Sequence, residues 1–297
     1  MSGTEVRANK WGVGVELAED HLGPIRFLAA ISGREDDLRL GLHVLPDQQM
    51  LHPLVNPEDA KAIRKKVEKN VAETLARGGL EGAQTRVELI EDDEIERGLC
   101  EGGERLGLDA LVIGRRARRD EDPIVRLGEV ARRVLRRLPA PVVVVPPDFG
   151  SPGDAGLGKG PILLATDLSE HCDAAASFAA DLAARLERPL ILAHGTQAFH
   201  WGVSYIPAEA MARLQDQARS GADQKLVSWA KGRGLEGAKH EVFMGDPVKH
   251  LLRIADSEDA AVLVTGSRKL GAVERLFLAS VSSELAAAAS CPVAVVG

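Results

Sequence analysis

Residues 161–194, PILLATDLSEHCDAAASFAADLAARLERPLILAH, hold the sequence signal that decides the fold. Ile162 to Ala165 is a short apolar run, read as a buried strand, and Asp167 follows it directly. Ser169 stands where a helix N-cap is expected, and the helix predicted from Glu170 runs to about Leu186. Pro189 to His194 is a second apolar run. Strand, helix, strand within 34 residues is a β-α-β unit, which places the two strands parallel in one sheet.

The same alternation continues toward the end of the chain. A helix bearing Met211, Leu214, Ala218, Leu226 and Val227 precedes a third strand at Glu241–Phe243. Asp246-Pro247 opens another helix, with Asp as cap and Pro at the first helical position. Strands four and five are predicted at Val262–Thr265 and Val293–Val296.

The first half repeats this order. At a shift of 151 residues Glu16-Leu17 falls on Asp167-Leu168, Phe27 on Phe178, His43 on His194, and Pro141 on Pro292, each proline followed by a valine-rich run. Its strands are predicted near Gly12–Glu16, Leu38–Val44, Arg86–Leu89, Leu111–Ile113 and Val142–Val145. Its clearest helix spaces Ile63, Val67, Val71 and Leu75 by four, with Asn56-Pro57 at the start and Gly78-Gly79 at the end.

A repeat this long implies two copies of one domain. The stretch 147–160, PDFGSPGDAGLGKG, has linker composition and lies where the repeat predicts a boundary. The expected organisation is a domain over residues 1–148, a linker over 149–160 and a domain over 161–297. Each is expected to be a doubly wound α/β domain with a five-stranded parallel sheet covered on both faces. Such sheets bind ligands beyond the carboxyl ends of the strands, where strand order reverses. The loops after strands one and four of each half are therefore the candidate sites.

Composition narrows the function. The 297 residues carry 37 basic and 44 acidic side chains, and the deficit is shared between the halves. Neither half has the basic excess of a general nucleic-acid binder. Cys100, Cys172 and Cys291 are odd in number and widely spaced, which argues for reduced thiols and against a disulfide framework or zinc site. The first ten residues are polar and no run approaches 18 apolar residues, so a cytoplasmic protein without membrane contact is expected.

The loops carry a further signal. Residues 266–282 read GSRKLGAVERLFLASVS after the fourth strand, residues 165–170 read ATDLSE after the first, and the chain closes on CPVAVV at 291–296. In the first half the matching pieces are VELAE at 15–19, DALVIGRR at 109–116 and PAPVVVV at 139–145. Together these resemble the universal stress protein family, once per half. The resemblance implies an adenine nucleotide hydrolase-like fold and, in many members, ATP binding through Gly-x-x-Gly, nine residues, then Gly-Ser or Gly-Thr. Glycines of that kind allow close phosphate approach, and backbone amides with a helix N-terminus hold the negative charge. An Asp after strand one contacts the adenine or ribose side in those members.

Transferred to the second half, the resemblance points to Asp167, Thr265, Gly266, Ser267, Arg268, Lys269, Ser280 and Val281 as the nucleotide-binding residues. The ligand would be ATP or another adenine nucleotide. Two positions depart from the pattern: Lys269 stands at the second glycine and Ala279 at the third. Gly195 also stands where the family often has Val after the strand-two histidine. In the first half Ala117 replaces the second glycine, Gly128 comes one residue late, Glu129 follows it and Glu16 replaces the Asp. A carboxylate beside a triphosphate is repulsive. Of the two halves the second is therefore the candidate for binding, and the alternative reading in both is that the loops are worn remnants that only turn the chain.

Other features have structural readings. His43 and His194 recur at equivalent strand ends and read as hydrogen-bonded core histidines. His171 and Cys172 adjoin Asp167, but helical neighbours point apart, and no metal site is expected. The arginines of residues 115–137 read as a solvated face balanced by the acidic run Glu91–Glu94. Phe199, Trp201 and Tyr205 read as packing or interface residues. The valine strands, expected at sheet edges, suggest a homodimer or an intramolecular pseudo-dimer.

No catalytic constellation is present: the sequence lacks a Gly-x-x-x-x-Gly-Lys-Ser/Thr loop, a Gly-x-Ser-x-Gly elbow and a His-Glu-x-x-His pair, and Gly156-Leu-Gly-Lys-Gly160 reads as linker composition. The leading expectation is a non-catalytic stress-response regulator that binds an adenine nucleotide in its second half. The alternative is a nucleotide-independent interaction module acting through dimerisation and protein partners. Weak ATP hydrolysis has the least support.

Overall fold

A computed structural model describes residues 9–17, 21–46, 56–115, 127–151, 153, 156–196, 207–267 and 281–297. The chain forms two compact units, one of residues 1–157 with 292–295 and one of residues 158–291 with 296–297.

In the first unit the elements are β1 (Lys10–Gly14), α1 (Gly23–Ile31), β2 (Leu38–Leu45), α2 (Pro57–Arg77), β3 (Thr85–Glu91), α3 (Ile95–Leu106), β4 (Ala110–Gly114), α4 (Glu129–Arg137) and β5 (Val142–Val145). The strands lie parallel in the order β3-β2-β1-β4-β5. The chain leaves β1 toward β2 and later crosses back to β4, so the order reverses between β1 and β4. Val293–Val295, which cluster with this unit, run antiparallel to β5, with Val293 opposite Val144. The valine strand β5 is thus covered and fully buried, not an open edge.

The core comes from alternate faces of these strands and the helix stripes against them. Trp11, Phe27, Leu42 and Leu111 are almost wholly inaccessible, each large side chain contributing about 1.5–3 kcal/mol of transfer free energy. The four-residue stripe of α2 is only half used: Val71 and Leu75 are buried, while Ile63 is 45% exposed. Gly41 explains the close seat of α2 on the sheet, since a Cβ there would lie 2.5 Å from the Leu75 Cδ1. The Asn56 side chain caps this helix, accepting from the Asp59 amide at 2.9 Å.

In the second unit the elements are β6 (Ile162–Thr166), a 3₁₀ turn (Glu170–Cys172), α5 (Asp173–Leu186), β7 (Leu190–Thr196), α6 (Ala208–Lys231), β8 (Lys239–Met244), α7 (Pro247–Ser257), β9 (Val262–Gly266) and α8 (Val281–Ala288); of the last strand, β10 (Val293–Val296), only Val296 clusters with this unit. Strands β9-β6-β7-β8 are parallel neighbours in that order, with the reversal between β6 and β9. Asp246 caps α7 as its sequence predicts, accepting from the amides of Val248 and Lys249 at 3.0 and 3.3 Å.

Ser169 behaves differently from its expectation as a cap. The segment after it is a 3₁₀ turn, and its hydroxyl donates to Asp167 Oδ1 at 2.5 Å instead of accepting from the helix. A neighbouring carboxylate is the stronger acceptor, and it takes the hydroxyl proton. On α6, Leu226 and Trp229 are buried, whereas Val227 is 44% exposed.

The segment 149–160 is anchored at both ends. Phe149 is buried with its ring edge-on to Phe27 at 5.5 Å. In the second unit Gly160 donates to the Asp259 carbonyl at 3.0 Å, and Lys159 N donates to the Asp259 carboxylate at 3.0 Å. No helix among the described residues is long and apolar enough to cross a membrane.

Candidate functional site

The second unit brings Asp167, Thr265, Gly266 and Ser267 to one crevice. Ala165 pairs with Thr265 across the β6–β9 ladder, so Asp167 and Ser267 each lie two residues past paired positions, at the carboxyl ends of adjacent strands. This is the point where strand order reverses. Arg268, Lys269 and Ser280 lie outside the described residues. Val281 opens α8 and is 38% exposed.

Asp167 is exposed and held by its own turn. Its Oδ1 accepts from the Ser169 amide at 3.0 Å, from the Ser169 hydroxyl and from the Cys172 thiol at 3.3 Å. Leu168 sits in the left-handed region at φ 65°, its amide donating to Thr166 Oγ1 at 3.0 Å. For a leucine this conformation costs on the order of 1–2 kcal/mol, and such strain persists where surrounding bonds fix it. Leu17, its counterpart in the first unit, does not adopt it.

The β9 end is equally constrained. Thr265 is buried and its hydroxyl donates to the Gly266 carbonyl at 3.2 Å. Ser267 N donates to the Val296 carbonyl at 2.7 Å. A Cβ on Gly266 would stand 3.1 Å from Cys172 Sγ and 3.4 Å from the His171 carbonyl. The missing side chain therefore lets β9 close onto the 3₁₀ turn that carries Cys172. Burial pushes the Cys172 thiol up, so it stays protonated near neutral pH and can donate to Asp167.

Gly195 has a local cause. A Cβ there would lie 2.6 Å from the Phe243 ring Cε2, and Phe243 in turn stacks on His250 with centroids 5.0 Å apart. The aromatic ring fills the volume that a valine would take. His194 turns its Nδ1 to the Thr166 carbonyl at 2.9 Å, and His43 does the same to Val15. Both are positioning contacts at the end of a first strand.

The first unit builds a different end. Glu16 is exposed, and a Cβ on Gly114 would meet Pro24 Cγ at 3.3 Å. Glu129 pairs with Arg133, which also reaches the buried Glu96. The buried stripe of α4 is Ala131, Val134 and Leu135. Arg133 and Arg137 meet acidic partners on α3 and, for Arg133, on α4 itself, whereas Glu91 pairs with Arg64, and Asp92 and Glu94 pair with Arg97. Arg116, Arg118, Arg119 and Arg126 lie outside the described residues, as do Phe199, Trp201 and Tyr205.

A cavity of about 330 Å³ lies between α6 and β8, lined by residues including Asp216, Asp223, His240 and Glu241. It lies on the outer strand, away from the β6–β9 crevice. Among the described residues no three His, Cys, Asp or Glu side chains are grouped to hold a metal ion.

Sequence reasoning did not assign a site role to Leu168 or Cys172. Neither had a readable signal: the left-handed backbone of Leu168 follows from a turn, and the Cys172 contact depends on the approach of β9.

Two doubly wound α/β units, each with its strand order reversing beside the first strand, define a tandem α/β protein. The sequence profile of the universal stress protein family matches residues 11–146 and again 160–297, and the chain belongs to that family, with one family domain in each half. A universal stress protein of Mycolicibacterium smegmatis is 25% identical over 296 residues, covering 96% of this chain and 95% of that one. A shorter one from Thermus aquaticus is 34% identical over 140 residues, 46% of this chain and 96% of its own. The crystal structure of a universal stress protein from Archaeoglobus fulgidus superposes over 98% of both chains with a TM-score of 0.68 at 19% identity. The cytoplasmic domain of a prokaryotic cation chloride cotransporter shares the fold at a TM-score of 0.51, with 17% identity over 97% of this chain and 95% of that one. The fold thus serves proteins of different roles and does not by itself fix function.

Proposed function

We propose that this chain is a non-catalytic stress-response regulator of the cytoplasm whose second unit binds ATP or another adenine nucleotide. The observation that supports it most is the juxtaposition of Asp167, on a strained turn, with the Gly266–Ser267 backbone at the reversal point of the sheet. Arg268, Lys269, Ser280 and Val281 would complete the site, with cationic side chains and the α8 N-terminus facing phosphate. The non-catalytic part of the reading rests on the sequence, which carries no recognisable nucleophile–base motif. The domain limits that go with it are 1–148 and 161–297, joined by residues 149–160, and the protein would act as a homodimer or an intramolecular pseudo-dimer.

One observation favours the second reading, a nucleotide-independent interaction module. The open side of Gly266 faces Cys172 and His171, so packing alone accounts for that glycine. The two readings separate in one experiment. Freshly purified protein is denatured, the supernatant is chromatographed for released nucleotide, and the native protein is titrated with ATP by calorimetry. About one adenine nucleotide per chain, or saturable heat at one site, supports the regulator. Neither signal sinks it in favour of the interaction module.

A further inference from the structure

Cys172 touches both halves of the crevice. Its thiol donates to Asp167 Oδ1 at 3.3 Å, and its sulfur would lie 3.1 Å from any Cβ placed on Gly266. It is 6% exposed, so the donor side of the thiol–carboxylate bond is buried although Asp167 itself is exposed. Its backbone amide donates to the Ser169 carbonyl at 3.1 Å, and Ser169 gives both its amide and its hydroxyl to the same Asp167 oxygen. The carboxylate is therefore gripped by a local set of bonds, and one member of that set is also the floor under β9.

We propose that Cys172 is a positioning residue of the second-unit crevice, fixing the Asp167 carboxylate relative to the Gly266 backbone. The inference rests on the nucleotide reading for its effect on ligand, but the positioning itself is a property of the ligand-free protein. Burial keeps the thiol protonated, which is what a donor to a carboxylate requires. A fixed carboxylate loses no rotamer freedom when a ligand arrives, so affinity rises by preorganisation. The first unit lacks the arrangement: at the 151-residue shift His21 stands in the place of Cys172 and Glu16 in that of Asp167.

The test uses the full chain with Cys172→Ala and Cys172→Ser. Ala removes the donor; Ser keeps one. ATP affinity is measured by calorimetry, and exchange of the Ser169 amide proton is measured by NMR without nucleotide. Cys172→Ala is expected to weaken ATP about fivefold to tenfold, the size of one lost hydrogen bond, and to speed Ser169 exchange. Cys172→Ser is expected to restore both to within about threefold of wild type. Wild-type exchange and affinity in the Ala variant overturn the proposal. Equal impairment of Ala and Ser also overturns it, because the residue is then only a space filler. If wild type does not bind ATP, the nucleotide reading falls by itself, and the exchange measurement still decides whether Cys172 holds Asp167.

Discussion

The ring Nδ1 of His194 lies 2.9 Å from the carbonyl oxygen of Thr166, the last residue of β6. A carbonyl oxygen only accepts, so the proton of this bond sits on Nδ1. His43 makes the same 2.9 Å contact to Val15 in the first unit, where the nucleotide pattern is lost. A contact kept in both units serves the shared fold and not the chemistry of one site. His194→Ala and His43→Ala are each expected to destabilise the protein by about 1–3 kcal/mol in urea unfolding, through a lost hydrogen bond and a partly filled hole. Destabilisation by one and not the other would break the equivalence.

Gly266 and Gly114 occupy matching strand ends but face different neighbours, Cys172 in one unit and Pro24 in the other. Gly266→Ala is expected to cost about 1–3 kcal/mol of stability by overpacking and to weaken ATP in the same variant. Gly114→Ala should leave ATP binding unchanged. Melting and ATP titration on both variants check this, and equal loss of affinity from the two would contradict a site confined to the second unit.

The periodic parts of this fold are legible in the sequence. Short apolar runs place the ten strands of the described residues, and both valine strands are found at their expected bounds. The 151-residue shift foretells that His43 and His194 share one environment. What stays hidden depends on three-dimensional approach. Nothing in the string marks that Ser169 turns its hydroxyl back to Asp167, or that α2 buries Leu75 but exposes Ile63. Gly266 is open to two readings in the same way. Gly266 fits a phosphate motif by spacing, yet the atoms nearest its open side belong to Cys172 and His171.

Gly195 shows how a departure from a family pattern can be compensated next door. The ring of Phe243 occupies the space over Gly195, 2.6 Å from where a Cβ would stand. Gly195→Val is therefore expected to destabilise by about 1–3 kcal/mol. Adding Phe243→Leu should recover part of that loss, giving a non-additive double-mutant cycle. Strict additivity of the two changes in urea unfolding would show that the ring does not answer the missing side chain.

The three thiols differ in environment. Burial pushes Cys100 up to about 11 and Cys172 in the same direction, while Cys291 is half-buried. Thiolate is the reactive form, so the two buried thiols should be inert. With an aromatic disulfide reagent at pH 8, native protein is expected to release at most one equivalent quickly, from Cys291, and three after denaturation. Rapid labelling of Cys172 in the Cys291→Ser variant would show that the crevice turn opens readily.

Glu96 is buried on α3 and receives Arg133 from α4. The Arg133 guanidinium holds its carboxyl below the usual range, outweighing the burial that raises it. A carboxyl depressed in the folded state stabilises above its unfolded pKa of about 4.3, and that stabilisation is lost as pH falls through the folded value. Glu96→Gln should thus lower the melting temperature at pH 7, with the deficit against wild type shrinking below about pH 4. Arg133→Ala should be worse than Glu96→Gln at pH 7, because it leaves a buried carboxylate without its guanidinium. Thermal melts of the three proteins at pH 7 and pH 3.5 decide the point: a deficit for Glu96→Gln that is constant with pH would mean the pair contributes shape and not charge.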